Sequence, residues 1–390
     1  MPPWLLVLGA GALAFYTDDY VIAGVIPEIA HDLDVSAATA GQLVTAFSLT
    51  IAIASPIIAI GAGRITGRAV LIAAAAVFTL ANALAALAPG YPVLLALRVL
   101  AALAAAAATP VLFATAASLA PPERVGRYVA VVAFGVTGAI AIGVPVGTWV
   151  GGAFGWRATF ALMAVAGAAF GVAARFALPS DTGARDPLPV RRQLAILTRP
   201  AVSLGLAANL VLMLGSMMVL TYLAPYVGVL ADAGPGERGA LFAVAGVAGM
   251  LGIWAGGVAT DRWGPDRTLV TGVAAFVAAM AALLALWLWR PVPLVVLLPV
   301  VAVWGGAAFW NAPAVQARLH GLAGPAATQA LALNTSGTYL GVAAGGAIGG
   351  GVLAAGGLAH LPVVAAAAGL VALALFVAAR RTASESSTVG

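Results

Sequence analysis

Of the 390 residues, 63% are hydrophobic and only 8% charged, which excludes a soluble domain of this size. No cysteine is present, so disulfides and thiolate metal centres are excluded, and three scattered histidines (His31, His320, His360) leave little for another metal site. The formal charge of +5 could suggest an anionic partner, but its distribution argues for membrane topology and against nucleic acid.

Twelve apolar runs follow one another at residues 4–30, 37–63, 68–89, 92–120, 124–152, 156–178, 200–230, 236–261, 266–289, 291–317, 325–355 and 359–380. Each reaches the ~20 residues that a helix needs to cross a bilayer. Their length and weak period-two alternation exclude an outer-membrane barrel. The expectation is an all-α protein of the bacterial cytoplasmic (inner) membrane. All eighteen basic residues are arginine, and they alternate by loop. With the N-terminus placed inside, fourteen fall on the cytoplasmic side and three (Arg157, Arg238, Arg290) outside, while Arg98 lies within a span. That asymmetry follows the positive-inside rule and puts both termini in the cytoplasm. The first run holds two aspartates and has no basic flank, so it is expected to stay as a span and not be cleaved as a signal.

Within that first span stand adjacent carboxylates, Asp18 and Asp19, in Tyr16-Thr17-Asp18-Asp19-Tyr20. A carboxylate near the centre of a spanning helix costs roughly 2.5–3.5 kcal/mol on insertion scales. Both should therefore face a bundle interior or wet cavity, pair with a cation, or bind a proton. The short acidic stretch that follows (Glu28, His31, Asp32, Asp34) reads as a solvated outer loop before a Ser36 helix cap. In the fourth span, Arg98 lies on the order of 9 Å from the outer end at 1.5 Å per residue, a depth matching that of Asp19. A buried guanidinium needs an acceptor, and Asp18 and Asp19 are the carboxylates at that level. The plain alternative is a structural ion pair. One arginine neutralises only one of two neighbouring aspartates, however, so the other is expected to take up a proton near neutral pH.

The Pro- and Arg-rich stretch 179–199 separates six spans from six. It reads as a cytoplasmic linker between an N-terminal bundle, 1–178, and a C-terminal bundle, 200–390. At a shift of 198 residues, Arg64 maps onto Arg262, Thr137 onto Thr335, and Gly143, Gly147, Gly151 and Gly152 onto Gly341, Gly345, Gly349 and Gly350. Duplication accounts for that register. Six plus six spans in parallel repeat is a transporter arrangement, with a site expected at the midplane between halves.

The second span ends in GAGRITGR and the eighth in GGVATDRWGPDR. Charges at such a turn can cap helix dipoles and pair across a gate, or merely set topology. The fifth span carries Gly138, Gly143, Pro145, Gly147 and Gly151. Glycines at 143, 147 and 151 share one face and admit a close neighbour, and Pro145 removes a backbone hydrogen bond and can serve as a bending point. Close packing alone accounts for this pattern.

These stretches together resemble the major facilitator superfamily. GGVATDRWGPDR is similar to its cytoplasmic loop motif and GAGRITGR to the first-half copy, except that Gly63 stands where the family usually has Asp. The resemblance implies a cytoplasmic gate role for Arg64, Arg68, Asp261, Arg262 and Arg267. Arg98 falls at the family's fourth-span arginine, tied to proton handling, and Asp19 at the acidic position of related exporters. The fifth-span glycines and Pro145 resemble the motif of the superfamily's antiporters. WNAPAVQARL and ALNTSGTYLGVAAGGAIGG are similar to the last third of chloramphenicol-type and arabinose-efflux-type permeases.

Amphipathic groups concentrate in the second half: Asn209, Met213, Met217 and Tyr222 on the seventh span, Trp310 and Asn311 on the tenth, Asn334 and Thr338 on the eleventh. Such residues mostly fill cores or face lipid, but buried Asn and Tyr need partners, and a midplane cavity would supply some. With Tyr16 and Tyr20 they form the expected substrate lining. The resulting expectation is a proton-coupled antiporter exporting small, largely hydrophobic compounds, monomeric, driven by the proton gradient with no cofactor. A dedicated exporter of one metabolite is the alternative within transport. A membrane-embedded enzyme or receptor is disfavoured, because no span carries a catalytic constellation.

Overall fold

The computed structural model describes residues 1–61, 65–121, 124–180, 195–323 and 327–388. Among these there is no strand, and twelve helices are long and apolar enough to cross a membrane. They are α1 (Pro3–Asp32), α2 (Ala37–Gly61), α3 (Gly67–Ala85), α4 (Tyr91–Ser118), α5 (Val125–Phe154) and α6 (Trp156–Ala177). Then follow α7 (Pro200–Thr221, continued by Leu223–Ala231), α8 (Pro235–Trp263), α9 (Pro265–Trp287), α10 (Leu294–Ala323), α11 (Ala327–Gly356) and α12 (Leu361–Thr388). Gly63, Arg64 and most of the 179–199 linker lie outside the described residues.

Local chemistry sets the helix ends. Proline opens α1, α7, α8 and α9, where its missing N–H would have no intrahelical partner anyway. Ser36 caps α2 by accepting from the Thr39 N–H at 3.0 Å. Gly155 (φ 85°) and Gly264 (φ 80°) turn the chain between α5 and α6 and between α8 and α9, in a region of backbone space that glycine enters without strain.

Three elements differ from the sequence expectation. The first helix runs on to Asp32, so Glu28, His31 and Asp32 belong to its last turns and not to a loop; Asp34, at φ 51°, makes the turn. The seventh span breaks at Tyr222, because Pro225 has no N–H to offer the Thr221 carbonyl four residues back. In α5 a π-helical turn over Ala139–Gly143, which the sequence did not foretell, widens the ladder just before Pro145.

The chain packs as two compact units. The first comprises Met1–Pro187 together with Gly234–Ala243, the opening turns of α8. Here α1 is more enclosed than any other span and packs against α2, α4, α5 and α6. Its Phe15 ring meets Phe78 and Phe170 edge-on at 4.7 and 5.7 Å. The glycine face of α5 carries α1 at closest approach: a Cβ on Gly143 would lie 1.9 Å from Thr17 Oγ1, on Gly147 2.2 Å from Val21 Cγ2, and on Gly151 2.5 Å from Val25 Cγ1. Steps of four on one helix thus meet steps of four on the other.

The second unit comprises Leu188–Ala233 and Val244–Gly390. Within it α7 packs against α10, α11 and α12. Gly341 and Gly345 of α11 abut the Leu210 and Leu214 carbonyls of α7, and Gly349 abuts the Tyr222 ring. Glycines that correspond at the 198-residue shift therefore seat the equivalent helix in each unit.

Candidate functional site

At the heart of the first unit, Arg98 of α4 reaches Asp18 of α1. Its Nη1 donates to Asp18 Oδ2 at 2.7 Å and its Nη2 to the Asp18 carbonyl at 2.8 Å. Both side chains are enclosed, at 1% and 0% exposure. The guanidinium lies over the Phe47 ring of α2 at 4.2 Å and near Phe160 of α6 at 5.8 Å, so its faces meet π-electrons while its edge meets the acid. Asn82 of α3, also buried, lies beside the Asp18 carboxylate and donates to the Phe78 carbonyl at 3.1 Å. Five helices thus contribute to one charged centre.

Asp19 is equally enclosed, at 3% exposure. One step along a helix rotates a side chain by about 100°, so the two carboxylates leave α1 in different directions and the single guanidinium goes to Asp18. By composition, two carboxylates share the centre with one guanidinium. Tyr16 and Tyr20, one turn apart, hold their rings 6.4 Å from each other and are only partly buried. Apart from this centre, an open apolar groove of about 620 Å³ lies along α1, α5 and α6, walled by Leu6, Leu13, Val146 and Phe170 and reaching Thr17 and Gly143; Asp18, Asp19 and Arg98 do not line it.

In the second unit, three of the expected substrate residues meet. Asn209 Nδ2 donates to Asn334 Oδ1 at 2.9 Å and to Thr338 Oγ1 at 3.1 Å, and the Thr338 hydroxyl donates to the Asn334 carbonyl at 2.9 Å. Met213 lies on the same contact between α7 and α11, against Gly341. Met217 and Tyr222 are fully enclosed; the Tyr222 hydroxyl donates to the Gly346 carbonyl at 2.8 Å and its ring packs on Gly349, a helix-packing role. Trp310 and Asn311 face α9 instead. The Trp310 indole N–H donates to the Thr268 carbonyl at 3.0 Å, and Asn311 presses on Gly272. Asn311 is 1% exposed, and among the described residues neither polar atom of its amide has a hydrogen-bond partner.

Of the gate residues, Asp261, Arg262 and Arg267 are exposed near the junction of α8 and α9. Arg68 donates to Ser180 Oγ at 3.2 Å and to the Arg175 carbonyl, which fastens α3 to the end of α6. The tightest charge cluster in this region lies elsewhere: Asp266 of α9 pairs with Arg318 of α10 and, at 3.3 Å, with Arg380 of α12. Sequence reasoning treated Arg318 and Arg380 only as topology signals, and an acid two residues after Gly264 was the available clue. It also missed Phe47, Asn82 and Phe160. At the far end of the first unit, Asp32 accepts from the Trp156 indole at 2.9 Å and from Arg157, while Glu28 pairs with Arg238.

A profile of the Major Facilitator Superfamily matches residues 8–328. The chain belongs to that superfamily of membrane transporters. It is 33% identical over 383 residues to the inner membrane transport protein YdhP of Escherichia coli (strain K12), covering 97% of this chain and 96% of that one. It is 34% identical over 351 residues to a chloramphenicol resistance protein of Streptomyces lividans, with 88% of each covered. The solved structure of the nucleoside transporter NupG superposes with a TM-score of 0.81 at 12% identity, covering 96% of this chain and 98% of that one, a likeness of fold.

Proposed function

We propose that this transporter is a proton-coupled antiporter that exports small, largely hydrophobic compounds by alternating exposure of its site to the two sides of the membrane. The observation that carries this reading is the buried Asp18–Asp19–Arg98 centre, whose two carboxylates outnumber its guanidinium. Asp18 is the anchored member. Asp19 is the one that gains and loses the proton, because uptake there brings the centre to neutrality inside a low-dielectric bundle. A proton arriving from outside releases the exported compound, and its departure inside resets the centre. Each entering proton moves through the membrane potential, worth about 2.3 kcal/mol per 100 mV, enough to drive accumulation against a gradient. The resistance named in the Streptomyces relative favours hydrophobic cargo. The proton gradient is the energy source, no cofactor takes part, and the protein works as a monomer. The arginine distribution favours both termini on the cytoplasmic side.

The test is transport by purified protein in proteoliposomes under an imposed pH gradient. Chloramphenicol serves as first probe and unrelated hydrophobic compounds as competitors. Gradient-driven flux is expected in the wild type and is abolished in Asp19→Asn, with insertion and thermal midpoint unchanged. Wild-type flux in Asp19→Asn would overturn the proton assignment. Saturation without competition from unrelated compounds would redirect the reading to a dedicated metabolite exporter.

A further inference from the structure

Where α8 ends and α9 begins, a pocket of about 440 Å³ is lined by Trp263, Asp266, Arg267, Val270, Thr271 and Arg380. We propose that it seats the phosphodiester of an acidic phospholipid, gripped by Arg267 and Arg380, with an acyl chain lying along Trp263 and Val270.

Charge is the first argument. Asp266 is the one carboxylate in the lining, and its two oxygens are already taken, Oδ1 by Arg318 and Oδ2 by Arg380. Three guanidiniums (Arg267, Arg318, Arg380) against that carboxylate leave two positive charges at the pocket. Arg267 enters none of the ion pairs found among the described residues. Arg380 meets Asp266 through its Nε at 3.3 Å, and its side chain is 70% exposed. Planar guanidinium forks match phosphate oxygens in geometry as well as charge.

Depth is the second. The pocket lies where the spans begin and end, at Pro265 of α9 and near Thr382 of α12, the level of lipid headgroups. Trp263 is 50% exposed there, as expected of an amphipathic ring at the membrane interface, and Val270, further along α9, is 46% exposed. A free anion would use the arginines and have no need of this apolar strip, whereas a phospholipid uses both. Rigidity is the third. Arg318 also donates to the Phe376 carbonyl at 3.0 Å, so α9, α10 and α12 are tied together before any ligand arrives. Basic pockets of this kind between helix ends suit anionic headgroups.

Native mass spectrometry of the full-length protein in detergent tests the site. The probes are dioleoyl-phosphatidylglycerol, dioleoyl-phosphatidylcholine with the same chains, and inorganic phosphate. Wild type is expected to retain phosphatidylglycerol over phosphatidylcholine. Arg267→Gln and Arg380→Gln should each lower phosphatidylglycerol retention roughly fivefold, leaving phosphatidylcholine unchanged. Arg290→Gln, beyond the opposite end of α9, should leave both unchanged. Arg380→Gln also loosens the Asp266 cluster, so Arg267→Gln, outside the ion pairs found among the described residues, is the deciding variant. Equal retention by Arg267→Gln and wild type, or no preference between the two lipids, would overturn the site. Displacement of phosphatidylglycerol by inorganic phosphate at matched concentration would assign it to a free anion and overturn the lipid.

Discussion

Arg98 holds Asp18 by two atoms of different kinds, a carboxylate oxygen and the backbone carbonyl of the same residue, so it fixes the rotation of α1 as well as the charge of its acid. A lysine in its place could neutralise the charge but could not span both acceptors or stack between Phe47 and Phe160. Arg98→Ala should therefore destabilise the protein by about 3–5 kcal/mol, because it leaves a buried carboxylate without its cation. Arg98→Lys should keep most of that stability yet lower transport at least tenfold. Thermal unfolding in detergent and flux in proteoliposomes measure the two effects. An Arg98→Ala variant that melts with wild type would show that the pair contributes nothing to the fold.

The Arg98 partnership also marks how far the sequence could be read. Depth along two apolar runs was enough to place Arg98 opposite the acidic pair, because a helix advances by a fixed rise per residue. Choosing between Asp18 and Asp19 needed the rotation of α1 about its axis, which is set by the fit of Thr17, Val21 and Val25 onto the α5 glycines. The glycine face itself was legible, since small residues at steps of four serve one purpose in a membrane bundle. Arg318 and Arg380 were not, because arginines at helix ends look alike whether they set topology or meet an acid such as Asp266 from two other helices. The Tyr222 break had a visible cause in Pro225, hidden by an unbroken apolar run.

Gly147 offers a packing test that avoids the charged centre. The Cβ of any other residue there would stand 2.2 Å from Val21 Cγ2, and α1 cannot retreat without straining Gly143 and Gly151 contacts on either side. Gly147→Leu should lower the thermal midpoint by about 5 °C or more and reduce transport in proportion. Gly126, which has open space around its Cβ position, is the control: Gly126→Ala should melt with wild type. An unchanged midpoint in Gly147→Leu would contradict the close approach of α1 and α5.

Glu28 and Arg238 form the other largely enclosed ion pair, with side chains 19% and 7% exposed, and they bind the opening turns of α8 to the end of α1. Two backbone approaches reinforce it: a Cβ on Gly152 of α5 would lie 2.1 Å from Pro235, and Gly239 lies against the Pro145 carbonyl. The start of α8 thus packs on α1 and α5, whereas from Val244 onward the same helix belongs to the second unit. If the proposed transport cycle opens this contact between α1 and α8, holding it closed stops the cycle. The cysteine-free chain makes the test clean, because thiols introduced as Glu28→Cys and Arg238→Cys are the sole targets of a short bifunctional thiol reagent. Cross-linking the pair should halt transport, and a reducible linker should restore it on reduction, while either single variant treated alike keeps its own untreated rate. Undiminished flux in the cross-linked protein would mean that this contact persists through the whole transport cycle.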